Sequence, residues 1–106
     1  MQLIFAKENR EIFEMLMRGE KSVETRAATA RYRGIKIGDT LSFACEGNSF
    51  EKVVIRTEIF PSVVMLLKKY RTEDINPKLK TVEEIISMYR SFPGYDAKIR
   101  EHGILA

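Results

Sequence analysis

At the centre of the chain stands Ile37-Gly38-Asp39-Thr40-Leu41-Ser42-Phe43-Ala44-Cys45-Glu46-Gly47-Asn48-Ser49. Ile37-Gly38-Asp39 has the composition of a turn that enters a strand. Leu41, Phe43 and Cys45 then recur at every second residue, so an extended backbone sets all three on one face. Glu46-Gly47-Asn48-Ser49 is a dense turn cluster. Continuing the alternation beyond it places Val53, Ile55 and Ile59 inward and Lys52, Arg56 and Glu58 outward. Residues 39–59 are therefore predicted to form a β-hairpin with Leu41, Phe43, Val53 and Ile55 in the core.

Toward the N-terminus, Gln2–Ala6 is short and apolar, as a first strand would be. From Lys7 to Arg18, Ile12, Phe13, Leu16 and Met17 fall at helical spacing. Gly19 suits the left-handed residue that ends such a helix. Lys21 to Arg26 alternates and contains Val23 and Thr25, which predicts a strand, and Ala27–Gly34 has no period, which predicts a loop. Toward the C-terminus, Ser62 can cap a helix whose buried stripe is Val63, Leu66, Leu67 and Tyr70. Thr72–Lys80 reads as a loop around Asn76-Pro77. Thr81-Val82-Glu83-Glu84 is a capping box that opens a helix with Val82, Ile85, Ile86 and Tyr89 on one side. Ser91-Phe92-Pro93-Gly94 breaks it. Tyr95–Glu101 follows as a short helix, and Gly103-Ile104-Leu105-Ala106 as the start of a last strand. Helices do not regularly separate these strands, which argues against a doubly wound parallel sheet. The expected class is α+β: a small mixed or antiparallel β-barrel with flanking helices, in a single domain spanning residues 1–106.

The 106 residues support one modest core. With 44% apolar and 31% charged residues, the balance is that of a globular chain rather than a disordered one. Val63-Val64-Met65-Leu66-Leu67 is far shorter than the roughly 20 residues of a membrane span. The N-terminal residues lack the basic and apolar regions of a signal peptide. A single cysteine, Cys45, allows no internal disulfide, and no disulfide-linked partner is expected. With His102 as the one histidine, no metal site and no cofactor is expected. These features together predict a cytoplasmic protein without membrane attachment. Cys45 is expected to be a buried inert thiol, and His102 a cation at a helix end or a plain surface residue.

The net charge is only +3, but it is unevenly placed. Residues 18–36 carry six basic against two acidic groups, and residues 68–80 five against two. Such clustering can mark a phosphate-bearing partner or simply a solvated surface. The densest segment is Gly19-Glu20-Lys21-Ser22-Val23-Glu24-Thr25-Arg26. In a strand, Glu24 and Arg26 share a face, where they can pair with each other or jointly receive a polar ligand. Tyr32 lies between Arg31 and Arg33. It can stack on a base while the arginines take phosphate, or it can anchor the loop. There is no phosphate-cradling Gly-rich loop, no Gly-x-Ser-x-Gly and no His-Glu-x-x-His, so any catalysis falls to Lys, Glu, Asp, Ser, Thr or Tyr.

In order and spacing, the chain resembles the ASCH (ASC-1 homology) family of the PUA-like superfamily. Gly19-x-Lys21-x-x-Glu24-x-Arg26 is similar to the central family motif, and Ile37-Gly38-Asp39-x-Leu41-x-Phe43 to the strand entry that follows it. Asn76-Pro77 and the Thr81-Val82-Glu83-Glu84 helix start also fit. The resemblance implies a PUA-like pseudobarrel with a cleft beside the motif strand, and RNA or a nucleotide as ligand. A branch of the family hydrolyses N4-acetylcytidine with a Lys, a Thr three residues later and a downstream Glu. Lys21 matches that Lys, Glu24 stands where the Thr would be, and Glu73 or Asp74 lies near the downstream carboxylate.

Together these features predict a domain that recognises single-stranded RNA or a nucleobase in a basic cleft. Lys21 and Arg26, joined by Arg31 and Arg33, would contact phosphate or base edges; Glu24 would accept from a base amino group, and Tyr32 would stack. The alternative is a small hydrolase of a modified nucleoside or RNA. Lys21 would then be base or nucleophile, and Glu24 a proton shuttle.

Overall fold

The computed structural model describes all residues, Met1 to Ala106. The central hairpin forms as β3 (Thr40–Cys45) and β4 (Asn48–Val53). Its register sets Phe43 opposite Phe50 and Cys45 opposite Asn48. Only Glu46 and Gly47 lie between the strands, and both have positive φ, 48° and 86°. This is the two-residue turn whose twist matches that of the strands.

That turn inverts part of the expected core. A two-residue connection puts Asn48, Phe50 and Lys52 on the face of Phe43, and Val53 on the other. Val53 and Ile55 are accordingly exposed, at 59% and 78%, and Ile59 is also open to solvent. Phe50 takes the inner place and stacks on Phe43 at 5.1 Å. Leu41 is half-buried, while Phe43 and Cys45 are buried as expected.

β1 (Gln2–Ile4) runs parallel to β3, giving a sheet of order β1-β3-β4. A second sheet has the order β2-β6-β5, with β2 (Arg26–Ala27) and β5 (Ile59–Phe60) each antiparallel to the central β6 (Ile104–Leu105). The expected barrel is thus absent: the strands form two separate three-stranded sheets. A barrel needs one continuous staggered ladder. Here the ladder of β4 stops at Val53, and Val54 bonds back to the Gly38–Asp39 turn instead of passing into β5.

A 3-10 turn (Lys7–Asn9) leads into α1 (Arg10–Arg18), which ends on Gly19 in the left-handed conformation, φ 81°. The segment expected as a loop contains a single helical turn, α2 (Ala30–Arg33). Ser62 caps α3 (Val63–Lys69) by accepting from the Met65 N–H. The expected 72–80 loop opens with a turn of helix, α4 (Thr72–Ile75), which buries Ile75. The Thr81–Glu84 capping box starts α5 (Val82–Ser91), and α6 (Tyr95–His102) follows.

The apolar residues gather into two clusters. One lies under the first sheet and α1, built on Leu3, Phe5, Phe13, Leu16, Phe43 and Cys45. The other joins the second sheet to the C-terminal helices, with Leu66, Ile75, Ile85, Tyr89 and Ile104 inside it. Residues 19–26 run between the two, and the candidate site lies there.

Candidate functional site

The segment Glu20–Thr25 is not the expected strand; only Arg26–Ala27 is. Its backbone bonds elsewhere. The amides of Glu20 and Lys21 donate to the Met15 carbonyl, and those of Ser22 and Val23 to the Asp74 carbonyl. These bonds tie the motif to the end of α1 and to α4, so its side chains are held without a ladder.

Lys21 is buried, with 3% of its surface exposed. Its Nζ donates to the Val23 carbonyl at 2.6 Å and to the Ile75 carbonyl, and it lies 3.6 Å from Glu24 Oε1. Two carbonyls thus accept from the ammonium, and the Glu24 carboxylate lies within ion-pair distance of it. Burial lowers its pKa from the ordinary lysine value, and Glu24 opposes that shift. Glu24 Oε1 also accepts from the Thr25 amide at 3.1 Å, and Oε2 from Arg26 Nη2 at 3.2 Å. The Arg26 guanidinium lies over the rings of Phe5, at 5.3 Å, and Tyr32, at 5.8 Å. Lys21, Glu24 and Arg26 therefore form one connected charged array rather than three separate surface groups.

Tyrosines support the array from behind. Thr25 Oγ1 and Tyr89 share a buried hydrogen bond, and the Tyr95 hydroxyl accepts from the Ala27 amide at 2.8 Å. The two phenol rings stack at 6.1 Å. Burial raises the pKa of both, so both stay protonated. The sequence marked neither as a site support. Their only signal was helical spacing, which also describes a purely apolar core.

A cleft of about 610 Å³ opens between the two clusters. Lys21, Glu24 and Arg26 line it, together with residues 52–57. The cleft brings those three together and leaves Arg31, Tyr32 and Arg33 outside its lining. Arg31 is exposed beside Tyr32 at 5.4 Å, and Arg33 donates to the His102 carbonyl at 2.6 Å. Tyr32 is half-buried against the first cluster. Lys52 and Arg56 line the cleft and were missed as site residues. The Glu46-Gly47 turn was the available signal for Lys52, since it fixes which face of β4 points inward.

Cys45 is buried and unpaired. No group of three His, Cys, Asp or Glu residues is placed to hold a metal ion. No helix is long and apolar enough to cross a membrane.

No family model and no curated protein matches the chain. Among solved structures it is similar to the crystal structure of hypothetical protein PH0355, with a TM-score of 0.82 and 27% identity, over 99% of this chain and 94% of that one. It is also similar to the solution NMR structure of protein PF0455 from Pyrococcus furiosus, with a TM-score of 0.74 and 26% identity, over 100% of this chain and 93% of that one. The α+β arrangement is thus shared along the whole chain.

Proposed function

We propose that this chain is an ASCH-like, cytoplasmic domain that binds single-stranded RNA or a nucleotide in the cleft beside Glu24 and Arg26. One observation carries the reading: the Glu24–Arg26 pair, 3.2 Å apart, lines a concave site and is held from below by the buried Lys21. A fixed acceptor beside a fixed donor matches the Watson–Crick edge of an unpaired base, which carries both. The cleft is within the roughly 300–1,000 Å³ of small-ligand sites. In this reading Lys21 positions Glu24, and Arg26 and Glu24 meet the ligand.

A hydrolase acting on a modified nucleoside or RNA draws support from one feature, the burial-lowered pKa of Lys21. It would require that ammonium to leave the Val23 and Ile75 carbonyls. Product formation lost in Lys21→Ala with RNA binding retained would favour it.

Titration with single-stranded RNA at two salt concentrations tests the binding reading. Arg26→Ala is expected to weaken binding by at least about 1 kcal/mol, the scale of one charge-assisted contact. Lys69→Ala, whose ammonium is paired with Glu58, should lower the salt slope by about one unit or less. Equal losses in the two variants would reduce the cleft to a diffuse basic surface. No binding by the parent protein at low salt would refute the reading.

A further inference from the structure

The part of the cleft lining that residues 52–57 contribute is also cationic. Five basic residues line the cleft, Lys21, Arg26, Lys52, Arg56 and Lys69, against Glu24 and Asp74. Most of these charges are already matched. Glu24 serves Lys21 and Arg26, Lys69 pairs with Glu58 at 2.5 Å, and Asp74 pairs with Arg71 at 3.4 Å. Lys52 and Arg56 have no carboxylate partner. The Lys52 ammonium lies 5.9 Å from the Phe50 ring centroid, and Arg56 is exposed. An inward-facing lysine near the end of an edge strand can guard that edge against pairing. The guanidinium of Arg56, on the connector between β4 and β5, has no edge to guard. Two uncompensated cations a few residues apart, facing into a concave site, are a place for an anion.

We infer that Lys52 and Arg56 form a phosphate subsite, so that the cleft takes a nucleotide with its base toward Glu24 and Arg26 and its phosphate at Lys52 and Arg56. The inference rests on the nucleotide-binding reading above and adds an orientation to it. The arginine fork suits the phosphate oxygens, and the lysine adds a point charge beside it. The ligand class is a nucleoside monophosphate, free or as the unpaired nucleotide of an RNA strand.

Calorimetric titration of the full chain with the ribonucleoside 5′-monophosphates and the corresponding nucleosides tests this. The parent protein should bind at least one monophosphate more tightly than its nucleoside. Arg56→Gln and Lys52→Gln should each weaken that monophosphate about five- to tenfold, as for one lost charge-assisted contact, and leave the nucleoside unchanged. Lys69→Gln should change either ligand less than about twofold, because Glu58 already pairs with it. Both subsite residues are exposed, so circular dichroism melts of the variants should match the parent. Monophosphate binding unchanged in Arg56→Gln and Lys52→Gln but lost in Arg26→Ala would overturn the subsite and leave the binding reading standing. Equal losses in all three glutamine variants would overturn it in favour of a diffuse field. No binding of any nucleotide, nucleoside or RNA by the parent at low salt would overturn both.

Discussion

Replacing Lys21 by methionine keeps the length and most of the volume of the side chain while removing its ammonium. In the native protein that ammonium serves the carbonyls of Val23 and Ile75 and the carboxylate of Glu24. Lys21→Met leaves the two carbonyls without this donor, at about 1–3 kcal/mol each where they are cut off from water. Glu24 suffers less, because Arg26 and the Thr25 amide still hold it. Against this loss stands the cost of burying the ammonium, several kcal/mol, which the methionine does not incur. The two terms are of similar size, so Lys21→Met should lie within about 2 kcal/mol of the parent at neutral pH.

The pH dependence has a definite sign. The folded pKa of Lys21 is lowered by burial from 10.5, so in alkaline solution the unfolded chain binds more protons than the folded one. Native stability therefore gains from Lys21 as pH rises through the lowered folded value toward 10.5, and the gain is absent below that window. Urea unfolding of the parent and of Lys21→Met, at neutral and at alkaline pH, measures both effects. The stability of the parent relative to Lys21→Met should rise with pH. A difference far above about 2 kcal/mol at neutral pH would contradict this balance, and a relative stability of the parent that falls with rising pH would refute the lowering of the Lys21 pKa by burial.

Leu66 is fully buried in the larger apolar cluster, so Leu66→Ala should cost about 2–5 kcal/mol by opening a cavity; an unchanged denaturation midpoint would show the α3 stripe to be misplaced. Gly103 has φ 82° and ψ −176°, and a Cβ there would meet the Phe60 carbonyl oxygen at 2.7 Å. Gly103→Ala should therefore cost at least about 2 kcal/mol in thermal or chemical melts, and a neutral result would contradict the close approach of α6 to β5.

Where local chemistry is self-contained, the sequence was legible. Gly19 closes α1, Ser62 opens α3 and the Thr81–Glu84 box opens α5, each by bonds within a few residues. The charged array was legible too, because Lys21, Glu24 and Arg26 are close in the chain and meet in space. What failed depended on longer-range choices. Glu46-Gly47-Asn48-Ser49 announced a turn but not its length, and the two-residue turn moved Val53 to the outer face and Phe50 to the inner one. The 20–25 segment alternates like a strand, yet its amides bond to Met15 and Asp74, residues whose nearness no period reports. Barrel closure depended on a continuous ladder from β4 into β5, and Val54 turns away to the Gly38–Asp39 turn. Tyr32, open between stacking on a base and anchoring its segment, packs on Arg26 and the first cluster.

The most direct test of a ligand-binding cleft is amide chemical-shift mapping by NMR during titration with a short single-stranded RNA. Binding as proposed should move the amides of residues 22–26 and 52–57, which contribute to the cleft lining, and leave α2 near its starting positions. Shifts centred on Arg31–Arg33, or none anywhere at low salt, would contradict it.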